Sequence, residues 1–188
     1  MNTNLNLDYY KSIPVTDSYI KKKLGGKCNI ILYRNLHKYT NIDQLFGGTY
    51  LGGPTPYRCC IILFESKEGY GHWVCLFKRD NIISFFDSYV GYPDDSLPKI
   101  DKNFRKISNQ MEPILSKLML GSNYKLEYNS TPLQEKNKKI STCGRWCILR
   151  ILYWFLDEKE FNELINSYKN NVLKTSDDVV TYIVEFLI

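Results

Sequence analysis

The 188-residue chain contains no uninterrupted apolar run near the ~20 residues that a membrane-spanning helix requires. Residues 1–8 are rich in asparagine and lack the basic-then-apolar order of a secretory signal, so the expectation is a protein made and kept in the cytosol, without a membrane. There are only two histidines and no Cys-x-x-Cys spacing, which excludes the common structural zinc sites. Four of the six cysteines (28, 59, 60, 75, 143 and 147) fall in apolar runs, and buried free thiols are expected there rather than disulfides. Neither an internal repeat nor a low-complexity tract occurs. Charge of one sign is also scarce: 25 Lys+Arg against 20 Asp+Glu leaves +5. That balance permits contact with nucleic acid or an acidic surface without demanding it.

What is present is core-forming material. At 44% hydrophobic and 14% aromatic, the chain can bury a substantial interior. Residues 1–27 are polar and end at Gly25-Gly26, and suggest an N-terminal extension ahead of a single domain over 28–188. Apolar runs predict strands at 29–33, 57–65, 70–78, 81–89 and 124–128. Residues 37–56 and 90–99, rich in Gly, Pro and Asp, predict loops, the first with one helical turn near 43–46. Helical spacing predicts helices over 103–120, 143–156, 158–168 and 177–187. Strands in the middle and helices at the end make the class α+β.

The hairpin 70–89 carries the first chemical candidates, His72 and Asp87. A two-residue turn at Arg79-Asp80 pairs positions summing to 159, which makes the two direct cross-strand neighbours. A turn at Asp80-Asn81 gives a sum of 161 and leaves them diagonal on one face, still in reach. A three-residue loop without a bulge would put them on opposite faces. His37, in a polar stretch, has no such partner. Trp73 beside His72 either walls a cleft or anchors its strand in the core.

Cys143 opens the apolar run 143–156. At the first turn of a helix, unpaired N–H groups and the helix dipole favour a thiolate. Ser141 and Thr142 are candidate caps, and Gly144 would leave room for a substrate backbone. Cys147, one turn deeper, and Cys75 are expected to be packing residues. Gln134, in the polar loop 129–142, could supply an amide donor for an oxyanion beside the Cys143 backbone N–H. Thiol, imidazole, carboxylate and amide together form the set that nucleophilic peptide hydrolysis needs.

The ordered segments Gly71-His72-Trp73-Val74, Phe85-Phe86-Asp87-Ser88, Gln134 and Thr142-Cys143-Gly144 resemble the adenain-like cysteine proteases. That group includes the adenovirus maturation protease and the proteases that release SUMO-type modifiers. The match spans roughly residues 57–156. The segment after Asp87 and the Tyr128-Asn129 pair look most like the versions in virophages, large DNA viruses and related DNA transposons. The resemblance implies a central mixed or antiparallel sheet flanked by helices, with the nucleophile at the start of a buried helix. It implies catalytic roles for His72, Asp87, Gln134 and Cys143, and cleavage of capsid precursors at glycine-containing sites. The expected location is the virion and the viral factory in the host cytoplasm. No cofactor or metal is implied as a requirement, although DNA or a basic peptide would stimulate, as with the adenovirus member. An isopeptidase acting on ubiquitin-like modifiers and an inactive virion protein of the same fold are the alternatives. One departure from the pattern is the longer spacing from Gln134 to Cys143, which falls in the charged stretch 135–139. Either that loop bulges outward, or another donor serves, with Asn129 next in line. The glycine pairs in Leu24-Gly25-Gly26, Phe46-Gly47-Gly48 and Leu51-Gly52-Gly53 look like self-cleavage sites but read first as turns.

Overall fold

In the computed structural model, residues 6–47 and 58–188 are described. Their centre is a five-stranded mixed sheet in the order β1-β2-β3-β4-β5. The strands are β1 (Asn29–Leu32), β2 (Arg58–Lys67), β3 (Tyr70–Arg79), β4 (Ile82–Phe86) and β5 (Lys125–Tyr128). β2, β3 and β4 are antiparallel, and the outer pairs β1·β2 and β4·β5 are parallel. Both faces of β2 and β3 are buried, which is why 59–64 reads as a continuous apolar run rather than an alternating one. Cys59, Ile61, Leu63, Trp73, Cys75 and Phe77 belong to the core under α5 (Cys143–Leu152). Cys60, Ile62, Phe64, Val74 and Leu76 meet the other layer, which includes Tyr33, Leu36 and Leu115.

The α+β expectation holds, and the register of the central hairpin is the 161 one: Arg79 pairs with Ile82 and Cys75 with Phe86. Asp80 takes a positive φ of 45°, a conformation that Asp tolerates better than most residues. This turn decides the site, because it leaves position 72 diagonal to position 87 on a shared face.

Two regions differ from the periodicity. The helix expected over 103–120 is two helices, α3 (Lys102–Ile107) and α4 (Ile114–Leu120). Between them Asn109 has φ 56°, Pro113 removes a donor, and the buried Gln110 side chain bonds both backbone groups of Glu65. Ile107, one of the apolar positions behind the helical spacing of 103–120, is 81% exposed. The polar start of the chain also folds. Asn6 caps α1 (Leu7–Ser12) and Thr16 caps α2 (Asp17–Lys23), each through its side chain. Leu7, Val15, Ile20 and Leu24 join the core that contains α5. Gly25 and Gly26 follow with φ of 60° and 73°, the expected turn.

The chain ends in α6 (Glu158–Ser167) and α7 (Ser176–Tyr182), each started by a capping box, with a π-helical turn over Ile183–Leu187. Tyr57, Gly48 and the Leu51-Gly52-Gly53 segment lie outside the described residues. Among the described residues, no helix is long and apolar enough to cross a membrane.

Candidate active site

The buried stretch of strand β3 begins at Trp73, and the residue before it, His72, keeps 17% of its side chain exposed. Its Nε2 lies 2.8 Å from Asp87 Oδ1. Asp87, one residue past β4, is held from three directions. Its Oδ1 also accepts the Tyr89 backbone N–H at 2.8 Å. Its backbone is bracketed by Asn129, whose Oδ1 accepts the Asp87 N–H at 3.0 Å and whose Nδ2 donates to the Asp87 carbonyl at 2.8 Å. The amide of Asn129 thus continues the sheet beyond the last strand residue. It is committed there, and is not the alternative oxyanion donor.

With Nε2 given to Asp87, the other ring nitrogen of His72 is left for Cys143, and the two groups are close enough to shift one another's protonation. Cys143 is the first residue of α5 and is 8% exposed. Burial alone would raise its pKa. The pairing with His72, its charge, and the backbone N–H groups of Trp73 and Gly144 outweigh burial and lower it. Burial likewise acts to lower His72, but Asp87 and Cys143 overcome it and lift the imidazole to about 10. Asp87 resists burial through the same pairing and stays below the usual carboxylate range. All three directions favour a thiolate–imidazolium pair oriented by a carboxylate.

The start of α5 is open. Thr142 stands at the cap position but makes no capping bond with its side chain; its Oγ1 donates to Asp177 Oδ1 at 2.5 Å instead. The first N–H groups of the helix therefore keep their capacity for an anion. Gly144 has a different reason from the one its position suggests. A Cβ there would lie 2.2 Å from Val15 and 3.1 Å from the Trp73 ring, so the glycine lets α5 press onto the N-terminal segment and β3. Trp73 is 5% exposed and anchors its strand.

Gln134 is buried and fixed at both ends of its amide. Ser88 Oγ donates to its Oε1 at 2.8 Å, and its Nε2 donates to Tyr89 Oη at 2.9 Å. The Leu133 and Gln134 backbone N–H groups both donate to the Ser88 carbonyl. One N–H of the Gln134 amide remains. The nine-residue step to Cys143 is absorbed by a single carboxylate: Asp177 Oδ2 accepts the Glu135 N–H at 2.8 Å and Oδ1 accepts Thr142 Oγ1 and, at 3.0 Å, Trp146 Nε1. Glu135 and Thr142 are thus tied to one side chain, and the intervening 136–139 stand exposed outside. The loop bulges outward, and its two flanks, Glu135 and Thr142, are drawn together.

Three further residues belong to this cluster without any signal in the sequence. Tyr89 stacks on the His72 ring at 5.1 Å with 28° between planes. Burial, then the charges of Cys143 and Asp177, push its hydroxyl up to about 12, so it remains a donor. Val90 closes the turn with its N–H on the Asp87 carbonyl and a φ of 64°, a strained conformation for a β-branched residue. Asp177 looked like one more acidic residue in the first turn of a helix, yet it is fully buried. His37 bonds the Arg34 carbonyl and Asn109, far from this cluster in the fold. All six cysteines are free thiols. Among the described residues, no group of three or more His, Cys, Asp or Glu side chains could hold a metal.

No family model matches the chain. A protein of Sputnik virophage, "Uncharacterized protein V9", is 45% identical over 178 residues, covering 94% of this chain and 97% of its own length. Among solved structures, the chain is similar to ASFV pS273R protease with TM-score 0.45, 11% identity and coverage of 92% and 67% of the two chains. It is also similar to the SUMO protease Ulp1 "with the catalytic cysteine oxidized to a sulfinic acid", with TM-score 0.40, 17% identity and coverage of 98% and 86%. Both are proteases of the kinds grouped in the adenain-like resemblance. Both TM-scores lie below 0.5, and neither likeness bears on the chemistry of the site.

Proposed function

The chain belongs to the family of the Sputnik virophage V9 protein, and from that premise we propose that it is a cysteine endopeptidase that cuts viral structural precursors during virion maturation. The observation that carries the reading is the alignment of Asp87, His72 and Cys143 at the open start of α5. The dyad rests as Cys143 thiolate and His72 imidazolium. The sulfur attacks the carbonyl carbon of the scissile peptide, forming the C–S bond as the carbonyl π pair moves to oxygen. The Cys143 backbone N–H and the remaining N–H of Gln134 receive that oxyanion. As the C=O bond re-forms, the C–N bond breaks and His72 gives its proton to the departing amine. Water, deprotonated by the now neutral His72, then attacks the thioester carbon; as the C–S bond breaks the acid leaves and the Cys143 thiolate and His72 imidazolium are restored.

Asp87 keeps the imidazole in the correct orientation, and Ser88 and Tyr89 do the same for the Gln134 amide. Asp177 ties Glu135 and Thr142, the neighbours of Gln134 and Cys143, into one unit. This division of labour needs no metal or cofactor. The virophage relative supports a viral setting; action in the host-cell factory and carriage in the particle belong to the proposal.

The test is incubation of the protein with the structural precursors of its own virus, followed by sequencing of new N-termini. The expected result is one or a few cuts, absent with Cys143→Ala. Release of a Gly-Gly-ended ubiquitin-like modifier, with precursors left intact, would instead establish an isopeptidase. Inert precursors and modifiers together, with no preferential labelling of Cys143, would leave a structural protein.

A further inference from the structure

The loop held outward by Asp177 is the longest departure from an otherwise compact site, and it has a distinct charge. Lys136 and Lys138 are exposed, as is Lys99 on the segment that follows Val90. These three lysines line one groove of about 610 Å³ with Tyr89, Tyr70 and Ile140. No carboxylate lines that groove. None of the three lysine side chains takes part in the molecule's ion pairs, although most carboxylates nearby are engaged: Asp87 with His72, Asp177 with Thr142 and Trp146, Asp94 with Tyr33.

The groove is continuous with the chemistry. Tyr89, stacked on His72, also forms a wall of a small apolar recess that includes His72, Gly71 and Lys99. On its other side it borders a third groove of about 560 Å³, where Gln134 is flanked by Lys136, Lys169 and Lys174, with Glu135 as the one acid. Tyr89 is thus the point at which all three hollows meet, directly over the dyad. A chain leaving the His72 recess past Tyr89 enters a groove walled by Tyr70 and Tyr89 and lined by Lys99, Lys136 and Lys138.

Resting on the peptidase reading, we propose that the clamped loop and Lys99 form a substrate-reading groove that selects protein segments with Asp or Glu residues flanking the cleaved bond. The occupant is the substrate's own chain. The walls between the lysines are flat rings suited to a peptide backbone, and among the described residues none of the three ammonium groups is held in an ion pair, although Lys99 also acts on Asp87 through its charge. Each exposed ammonium–carboxylate contact is weak and screened by salt. Selection therefore comes from several contacts acting together, and takes the form of faster capture at low ionic strength.

The experiment uses the full chain and two peptide vinyl sulfones ending in Gly-Gly, identical except for Glu or Lys at the flanking positions. The readout is the second-order rate of Cys143 labelling, followed by mass. The expected result is roughly three- to tenfold faster labelling by the Glu probe at low salt, shrinking toward parity at high salt. Lys136→Glu with Lys138→Glu should invert the preference, and the ratio of Glu-probe to Lys-probe labelling, each normalised to the rate with small, uncharged iodoacetamide, is the quantity read. Equal rates for the two probes overturn the groove and leave the peptidase standing. Labelling of Cys143 by neither probe overturns both. A wild-type chain that binds duplex DNA through these lysines while showing no probe preference makes the groove a nucleic-acid surface, and the proposal falls.

Discussion

Cys143 and Cys147 sit one turn apart on the same helix, both buried, and their chemistry runs in opposite directions. At Cys147, burial among Cys75 and apolar neighbours pushes the thiol well above its ordinary range. At Cys143, burial pushes the same way and loses to His72 and to the backbone N–H groups of Trp73 and Gly144. A displacement of four residues along α5 converts a packing atom into a nucleophile. What differs is the surroundings: an imidazole from the start of β3, an uncapped helix terminus, and a carboxylate behind the imidazole. Burial sets the cost of a charge, and local partners decide its sign.

Replacing each cysteine separately gives the largest contrast. Cys143→Ala should remove turnover, a loss on the order of 10⁶-fold for a nucleophile of this kind. Cys147→Ala should keep kcat within about twofold and lower stability by about 1 kcal/mol through a small cavity; steady-state kinetics and urea unfolding read the two effects. If both substitutions silenced the protein equally, the contrast would vanish.

The carboxylate behind the imidazole comes next. Asp87→Asn keeps the shape but loses the charge that holds His72 protonated, and kcat should fall by about 10²–10⁴-fold. Gln134→Ala should cost about 10²–10³-fold in kcat with little change in KM. Full activity in that variant would remove Gln134 from the oxyanion site. The clearest effect on stability belongs to Asp177→Ala. It strands the Thr142 hydroxyl, the Trp146 indole N–H and the Glu135 N–H, and should lower unfolding free energy by about 2–4 kcal/mol. Calorimetry or denaturant titration measures it.

The parts of the site that could be read from the chain were those whose partners lie close in sequence or on a strand pair. His72 and Asp87 follow from counting across one hairpin, and Cys143 from the boundary between a polar loop and an apolar run. The register itself needed the turn at Asp80, which composition alone left open. The rest depends on distant contacts. Asp177 reaches Thr142 across 35 positions, so nothing local marks it as the clasp that closes the nine-residue gap. Gly144 answers to Val15, a residue of a segment whose apolar positions are too widely spaced to declare a helix. Gln110 breaks the predicted long helix by bonding β2, a tertiary contact that overrode good helical spacing.

The pH dependence of Cys143 alkylation by iodoacetamide tests the central claim most directly, with each thiol's rate resolved by mass. With Cys143 lowered and His72 raised to about 10, the thiolate persists below the usual thiol range near about 8.5. Labelling should therefore stay fast through neutral pH and fall only in acid, and in His72→Ala the step should move up to ordinary thiol values. A wild-type profile that rises about tenfold per pH unit through neutrality, superimposable on that of His72→Ala, would contradict the ion pair and the activity built on it.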